Sequence, residues 1–192
     1  MIEEKIITKI YKIHLKQLKN LSVPHKKFMI CFSGIAGSGK TYIAKILEKK
    51  YNGVRIRSDD IRGIIRSLHI DDMDNVTDDY LSWLFKNWPF KNKLIILDRG
   101  IDRKYKETFS IFKKKGYKIF IIRLKTPREI FEKRIKGKLG KLDQNYLNRI
   151  NDWIKQWKEF GKKFKSDIII KNEKDNKLEL KKIFTMLDKL IK

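Results

Sequence analysis

The sequence has a single cysteine, Cys31, which excludes an internal disulfide framework and any zinc site built on several thiolates. No apolar run approaches the roughly 18 residues that a membrane span needs. The opening MIEEKIITKIYK carries a charge every few residues and has no continuous apolar stretch, so no secretory signal is expected. These absences predict a soluble, cytoplasmic protein with no membrane span. Prolines are scarce at 3 and glycines number 10, with no Pro/Gly/Ser linker and no internal repeat to divide the chain.

What the chain has in excess is positive charge. Its 192 residues hold 47 Lys and Arg against 23 Asp and Glu, a net +24. Such a field favours polyanions such as nucleic acid or an anionic membrane surface. A second reading is compositional, because 37 Lys and 30 Ile stand beside only two Ala, the profile of codons drawn toward A and T. The distribution is more telling than the total. From Arg99 to Lys165 there are 22 basic and 7 acidic residues, whereas Asp71, Asp72, Asp74, Asp78 and Asp79 crowd a stretch without a base. Hydrophobic residues at 41% supply a sizeable core.

Residues 2–21 have helical period, with Ile2, Ile6, Ile10, Ile13, Gln17 and Leu21 on one face and lysines over much of the rest. Ser22-Val23-Pro24 is expected to end the helix. A basic amphipathic helix can lie on a membrane or a partner, but packing onto its own domain is favoured. Short apolar runs at 28–33, 54–58, 94–98, 117–124 and 166–172 read as strands. Helical patterns lie at 40–51, 60–69, 76–88, 103–115, 127–136, 143–164 and 177–191. Strands alternating with helices predict an α/β fold, a mainly parallel five-stranded sheet covered on both faces. The expected division is an N-terminal amphipathic helix over 1–26 and one further domain over 27–192.

The strongest motif is Gly34-Ile35-Ala36-Gly37-Ser38-Gly39-Lys40-Thr41, which fits G-x-x-x-x-G-K-S/T. Its glycines let backbone N–H groups curl toward phosphate oxygens, and the following helix directs its positive dipole end at the same anion. Lys40 is expected to reach the β- and γ-phosphates of ATP, and the Thr41 hydroxyl to ligate Mg²⁺. An apolar strand before the loop and a helical pattern after it supply the context the motif needs. At the end of the next strand stand Ser58-Asp59-Asp60-Ile61-Arg62. Carboxylates on that rim could accept a proton from an attacking hydroxyl, and an arginine one turn later could hold an anionic group. The alternative is that Ser58 or Asp59 simply caps the helix. Both can hold at once.

On these residues the chain resembles the small P-loop kinases grouped around polynucleotide 5′-hydroxyl kinases, zeta toxins and chloramphenicol phosphotransferase, over about residues 27–192. The resemblance implies a three-layer α/β/α kinase fold with an added N-terminal helix. It implies Asp59 as the residue that orients and deprotonates the acceptor, with Asp60 as its competitor, and Arg62 as a substrate contact. LIILDRG ends in Asp98 at the place of the carboxylate that helps hold Mg²⁺. In the segment 121–135, Arg134 matches the first lid arginine, and a lid of 136–142 containing Lys136 and Lys138 is implied. Lys138 stands where many relatives place a second arginine, keeping the charge but losing the bidentate fork. Lys171 and Asn172 fall near the implied adenine pocket.

Three acceptor classes follow: a polynucleotide 5′-OH, a small nucleoside, sugar or antibiotic hydroxyl, or no acceptor at all in a nucleotide-dependent regulatory module. Tyr80, Trp83, Phe85, Trp88 and Phe90 are either an acceptor wall or, as favoured, helix packing. Trp153 and Trp157 are read as core. His14, His25 and His69 have no metal spacing, and Cys31 reads as a small buried hydrophobe.

Overall fold

The structure is a computed structural model that describes residues 3–18, 26–172 and 177–191. Runs of Ile, Leu and Phe form five strands, β1 (Phe28–Ser33), β2 (Val54–Arg57), β3 (Ile95–Gly100), β4 (Lys118–Lys125) and β5 (Ile168–Lys171). All neighbours pair in parallel, in the order β2-β3-β1-β4-β5. The central β1 is buried at every position, which is why FMICFS is a continuous apolar run rather than an alternating one. Among the described residues there are eight helices: α1 (Glu4–Leu18), α2 (Lys40–Tyr51), α3 (Ser58–Ser67), α4 (Met73–Lys86), α5 (Tyr105–Lys114), α6 (Arg128–Leu139), α7 (Gln144–Lys163) and α8 (Lys177–Ile191).

Side chains of successive strand residues point to opposite faces, so the sheet separates two cores. Met29 and Cys31 face one core with Ile10, Ile61, Tyr80, Leu84 and Phe112. Phe28, Ile30 and Phe32 face the other with Ile43, Leu47, Ile183 and Leu187. Cys31 is fully buried, and desolvation pushes its thiol pKa well up. A third, smaller cluster of Phe131, Ile135 and Ile150 joins α6 to α7, with Ile35 and Ala36 of the glycine-rich loop resting against it.

The N-terminal helix packs onto its own molecule. Ile7, Ile10 and Leu18 enter the first core, and each buried aliphatic side chain contributes about 2 kcal/mol. Tyr11 meets Trp83 edge-on at 5.2 Å. His14 is 2% exposed and lies 2.9 Å from the Tyr80 hydroxyl. Ile2, Lys19, Leu21, the Ser22-Val23-Pro24 stop and His25 lie outside the described residues. Tyr80, Leu84 and Phe85 are buried as helix packing, while Trp83 and Trp88 are half-buried against the same core. Among the described residues no helix is long and apolar enough to cross a membrane.

Most boundaries fall within two or three residues of the sequence expectation, and three of the differences have a local cause. α4 begins at Met73 rather than 76, because Asp72 adopts a left-handed conformation (φ 50°) and its carbonyl accepts the Val76 N–H. β3 continues past Asp98 to Gly100, with a shift in register against β1 at Cys31/Phe32. α6 runs on to Leu139 and stops at Gly140, whose φ of 80° suits glycine.

Candidate nucleotide and acceptor site

The loop between β1 and α2 turns at two residues with positive φ, Gly37 (74°) and Gly39 (98°). Glycine is required at both, since a Cβ on Gly37 would lie 2.7 Å from the Phe131 carbonyl and one on Gly39 would clash with Asn172 Nδ2. Lys40 opens α2 and bends back, donating to the carbonyls of Gly34 (2.7 Å) and Ile35 (2.6 Å). Burial lowers the Lys40 pKa to about 8, opposed by the negative charges of Asp102 and Asp98. A phosphate would replace the two carbonyls as its partner and favour the charged form.

Thr41 Oγ1 donates to Asp98 Oδ1 at 3.0 Å. The two residues come from α2 and the end of β3, so the sheet brings together a hydroxyl and a carboxylate 57 positions apart. Both are hard oxygen donors of the kind Mg²⁺ takes, together with phosphate oxygens and water. Among the described residues no group of three His, Cys, Asp or Glu could hold a metal, so the donor set fits a cation held partly by its nucleotide. Burial pushes the Asp98 carboxyl pKa up, against hydrogen bonds from Thr41 and Arg55. Arg55 spans Asp98 (2.9 Å) and Glu48 (2.6 Å).

Asp59 and Asp60 lie in the first turn of α3, where a helix favours negative charge. Neither caps it. The capping position is Arg57, and no side chain bonds the free N–H groups. Instead Arg57 Nη2 holds Asp59 Oδ2 at 2.8 Å and Nη1 holds Asp60 Oδ1 at 3.1 Å, while Nε stands 3.8 Å from Asp98. One guanidinium therefore ties the α3 carboxylates to the carboxylate beside Thr41. Arg62 reaches Asp59 Oδ1 at 3.3 Å and Asp74 at 2.9 Å. Two aspartates of the acidic stretch, Asp74 and Asp78, are held in such pairs. Asp78 binds Arg99 (3.1 Å) and Lys104 (3.4 Å), and although burial opposes it, these cations hold its carboxyl below the usual range.

Arg134 extends from α6 and donates to the Gly37 carbonyl at 3.1 Å. Lys136 and Lys138 are exposed. The expected lid over 136–142 is thus helix as far as Leu139, with residues 140–143 as the irregular connection to α7. Trp153 and Trp157, expected in the core, are half-buried and covered by arginines: Arg103 and Arg149 lie over Trp153, and Arg123 over Trp157 at 4.2 Å.

Three residues that support the loop carry no local sequence signal. Asp102 accepts the Ser33 hydroxyl (2.6 Å) and the Gly34 N–H (3.0 Å). Thr126 Oγ1 (3.1 Å) and Asn172 Nδ2 (2.6 Å) both donate to the Ser38 carbonyl. Asn172 is buried behind the loop rather than simply lining a base pocket. A cavity of about 550 Å³ opens between α1 and α3, bounded by His14, Glu48, Arg55, Asp59 and Asp60.

A glycine-rich loop after the central strand, a hydroxyl–carboxylate pair beside it and a parallel sheet in this order define the fold of the small P-loop kinases. The family model described as AAA domain (AAA_33) matches residues 29–157, most of the chain, and the protein belongs to that family. Kti12 from Chaetomium thermophilum, solved with ADP-AlF3, superposes with a TM-score of 0.61 at 14% identity, covering 85% of this chain and 99% of that one. Shikimate kinase from Acinetobacter baumannii, solved with shikimate, gives 0.58 at 15% identity over 90% and 97%. The APS kinase CysC from Mycobacterium tuberculosis, solved with AMPPNP and APS, gives 0.57 at 13% identity over 86% and 99%. At these identities the likeness is one of fold. Among curated proteins none matches the chain significantly.

Proposed function

We propose that the protein is a Mg²⁺-dependent kinase that transfers the γ-phosphate of ATP to a hydroxyl acceptor, with residues 27–192 as the kinase domain and 1–26 as its added helix. The observation that carries this reading is the Arg57 fork, which joins Asp59 and Asp60 to Asp98 on one rim. Residues of the two roles, acceptor activation and nucleotide binding, are therefore held in one ion-pair network.

The amides of Gly34–Thr41 and the Lys40 ammonium bind the triphosphate, and Arg134 stands over the loop to meet the transferring group. Thr41 and Asp98 would hold Mg²⁺, which when bound offsets the charge of the phosphate oxygens. Asp59 is gripped through opposite oxygens by Arg57 and Arg62, which fixes the direction of its remaining lone pairs. As the acceptor oxygen bonds to the γ-phosphorus and the bond to ADP breaks, Asp59 takes the hydroxyl proton. Positioning and charge supply most of the rate, because this transition state asks little covalent chemistry of the protein. Lys136 and Lys138, on the exposed last turn of α6, add positive charge above the site.

A small-molecule acceptor has one observation in its favour, the cavity beside Asp59 and Asp60 with its excess of carboxylates. Incubation with γ-labelled ATP, Mg²⁺ and separate pools of oligonucleotides, nucleosides, sugars and aminoglycosides tests the reading. Label in any pool, abolished by Lys40→Ala, is expected. Hydrolysis without label in any pool contradicts it and favours a nucleotide-driven switch.

A further inference from the structure

The cavity of about 550 Å³ beside Asp59 is closed on one side by α1, which lies before residue 29, where the match to the family model begins. Ile13, His14 and Gln17 of α1 stand across it from Asp60, Gly63 and Ile64 of α3, which share one helical face at spacings of three and four. Glu48 of α2 and Arg55 of β2, the edge strand of the sheet, close the remaining side. The volume suits a small organic molecule. Gly63 keeps it open, since a Cβ there would meet nothing within 4 Å.

The carboxylates of Glu48, Asp59 and Asp60 line this cavity against a single guanidinium, that of Arg55. That guanidinium is already committed, donating through Nε to Glu48 and through Nη1 to Asp98. Glu48 and Asp60 each give one oxygen to an arginine, Oε2 to Arg55 and Oδ1 to Arg57. Their other oxygens, Glu48 Oε1 and Asp60 Oδ2, accept no hydrogen bond among the described residues. His14 supplies a second and separate unpaired group. It is 2% exposed, its Nδ1 lies 2.9 Å from the Tyr80 hydroxyl, and its Nε2 has no hydrogen bond among the described residues. Tyr80 does not line the cavity, so the ring edge left for the cavity carries Nε2. Burial lowers the His14 pKa to about 4 against the pull of Asp60, so the imidazole is neutral and offsets none of the negative charge. No group of three His, Cys, Asp or Glu among the described residues could hold a metal, which leaves an organic cation as the fitting ligand.

We propose that the acceptor is a small hydroxyl compound carrying a protonated amine, with the amine held by Glu48 Oε1 and Asp60 Oδ2 and a polar atom of its body at His14 Nε2. This names the substrate class of the kinase reading and rests on that reading for the transfer, not for the binding. The acceptor hydroxyl lies toward Asp59. Its oxygen bonds to the γ-phosphorus, the bond to ADP breaks, and the hydroxyl proton passes to Asp59. The helix α1 then sets which hydroxyl compound enters, through His14 and Gln17.

The test uses the full-length protein saturated with ADP·Mg²⁺ and follows binding by titration calorimetry. Glucosamine and diaminopropanol are the probes, each against an uncharged counterpart, N-acetylglucosamine and glycerol. The amines are expected to bind about tenfold tighter or more, the gain from one charge-assisted hydrogen bond. Gly63→Leu fills the space beside α3, and Gln17→Lys places a cation next to the carboxylates. Each is expected to weaken amine binding about tenfold, by exclusion in the first and like charge in the second, with ATP affinity unchanged. Both positions are exposed on helices, and leucine is a better helix former than glycine, so the unfolding midpoints should not fall. With γ-labelled ATP, label is expected on the amines in preference to their counterparts. Equal binding of amines and counterparts, or amine binding that both variants leave unchanged, overturns the proposal. Label passing to N-acetylglucosamine or glycerol as readily as to the amines also overturns it and leaves the kinase reading standing. Failure of the kinase reading looks different: the amines bind selectively and respond to the variants, yet no compound acquires label, which overturns the acceptor role and leaves an amine site.

Discussion

Asn172, just beyond the last strand, donates from its side-chain amide to the Ser38 carbonyl at 2.6 Å across 134 residues of chain. The bond fixes the middle of the nucleotide loop from behind. It also makes the loop glycine obligatory, since the space a Cβ on Gly39 would need is filled by that amide.

Asn172→Ala leaves the Ser38 carbonyl with Thr126 as its side-chain donor. The expected cost is about 1–3 kcal/mol of stability, the range for an impaired buried hydrogen bond, with weaker ATP binding by titration calorimetry. Gly39→Ala is expected to abolish ATP binding. The double variant relieves the clash but not the strain of φ 98°, so it should remain impaired. Recovery of ATP affinity in the double variant would show that strain is not the obstacle.

Asp98→Asn removes a buried charge that Arg55 and Thr41 both hold. Arg55 keeps Glu48 as a partner, so the loss of stability should be about 1–3 kcal/mol, less than for a fully isolated buried ion. The larger effect is expected on metal use. The Mg²⁺ concentration for half-maximal ATP turnover should rise at least about tenfold, and an unchanged Mg²⁺ titration would remove Asp98 from the metal site.

His14 gives the fold a defined acid sensitivity. Desolvation lowers its pKa from 6.5 to about 4, against the pull of Asp60. Between these values the unfolded chain binds a proton that the folded one does not. Stability from the neutral imidazole is therefore fully present above pH about 6.5 and is lost as pH falls through about 4, by up to roughly 3 kcal/mol. Denaturant midpoints at pH 7 and pH 4.5 should differ less in His14→Gln than in the parent. Equal pH dependence in the two proteins would show that His14 is not the titrating group.

Much of the fold was legible because its signals are local. FMICFS, the glycine loop and the lysine-rich helix after it are contiguous, so strand, turn and helix could be placed from the residues alone. The packing of α1 followed from its period. Asp102, Thr126 and Asn172 were invisible as loop supports because each acts across a fold that spacing does not reveal. Asp59 was legible as a rim carboxylate but not as a partner of Arg57, because two residues of sequence separation do not say that one fork also approaches Asp98. Trp153 packs on the Phe131–Ile135–Ile150 cluster as its helical spacing suggested, but only the fold shows arginines from β4 and from the turn before α5 lying over Trp157 and Trp153.

The central claim is that Asp59 activates the acceptor while the loop binds ATP independently. Single-turnover transfer of labelled γ-phosphate to the acceptor pool that accepts label, comparing the parent with Asp59→Asn, tests it alongside ATP·Mg²⁺ affinity by calorimetry. Transfer should fall about 100-fold or more, the scale of a lost general base, while ATP affinity changes by less than about threefold. Undiminished transfer, or a loss of ATP affinity that accounts for the whole decrease, would contradict the assignment.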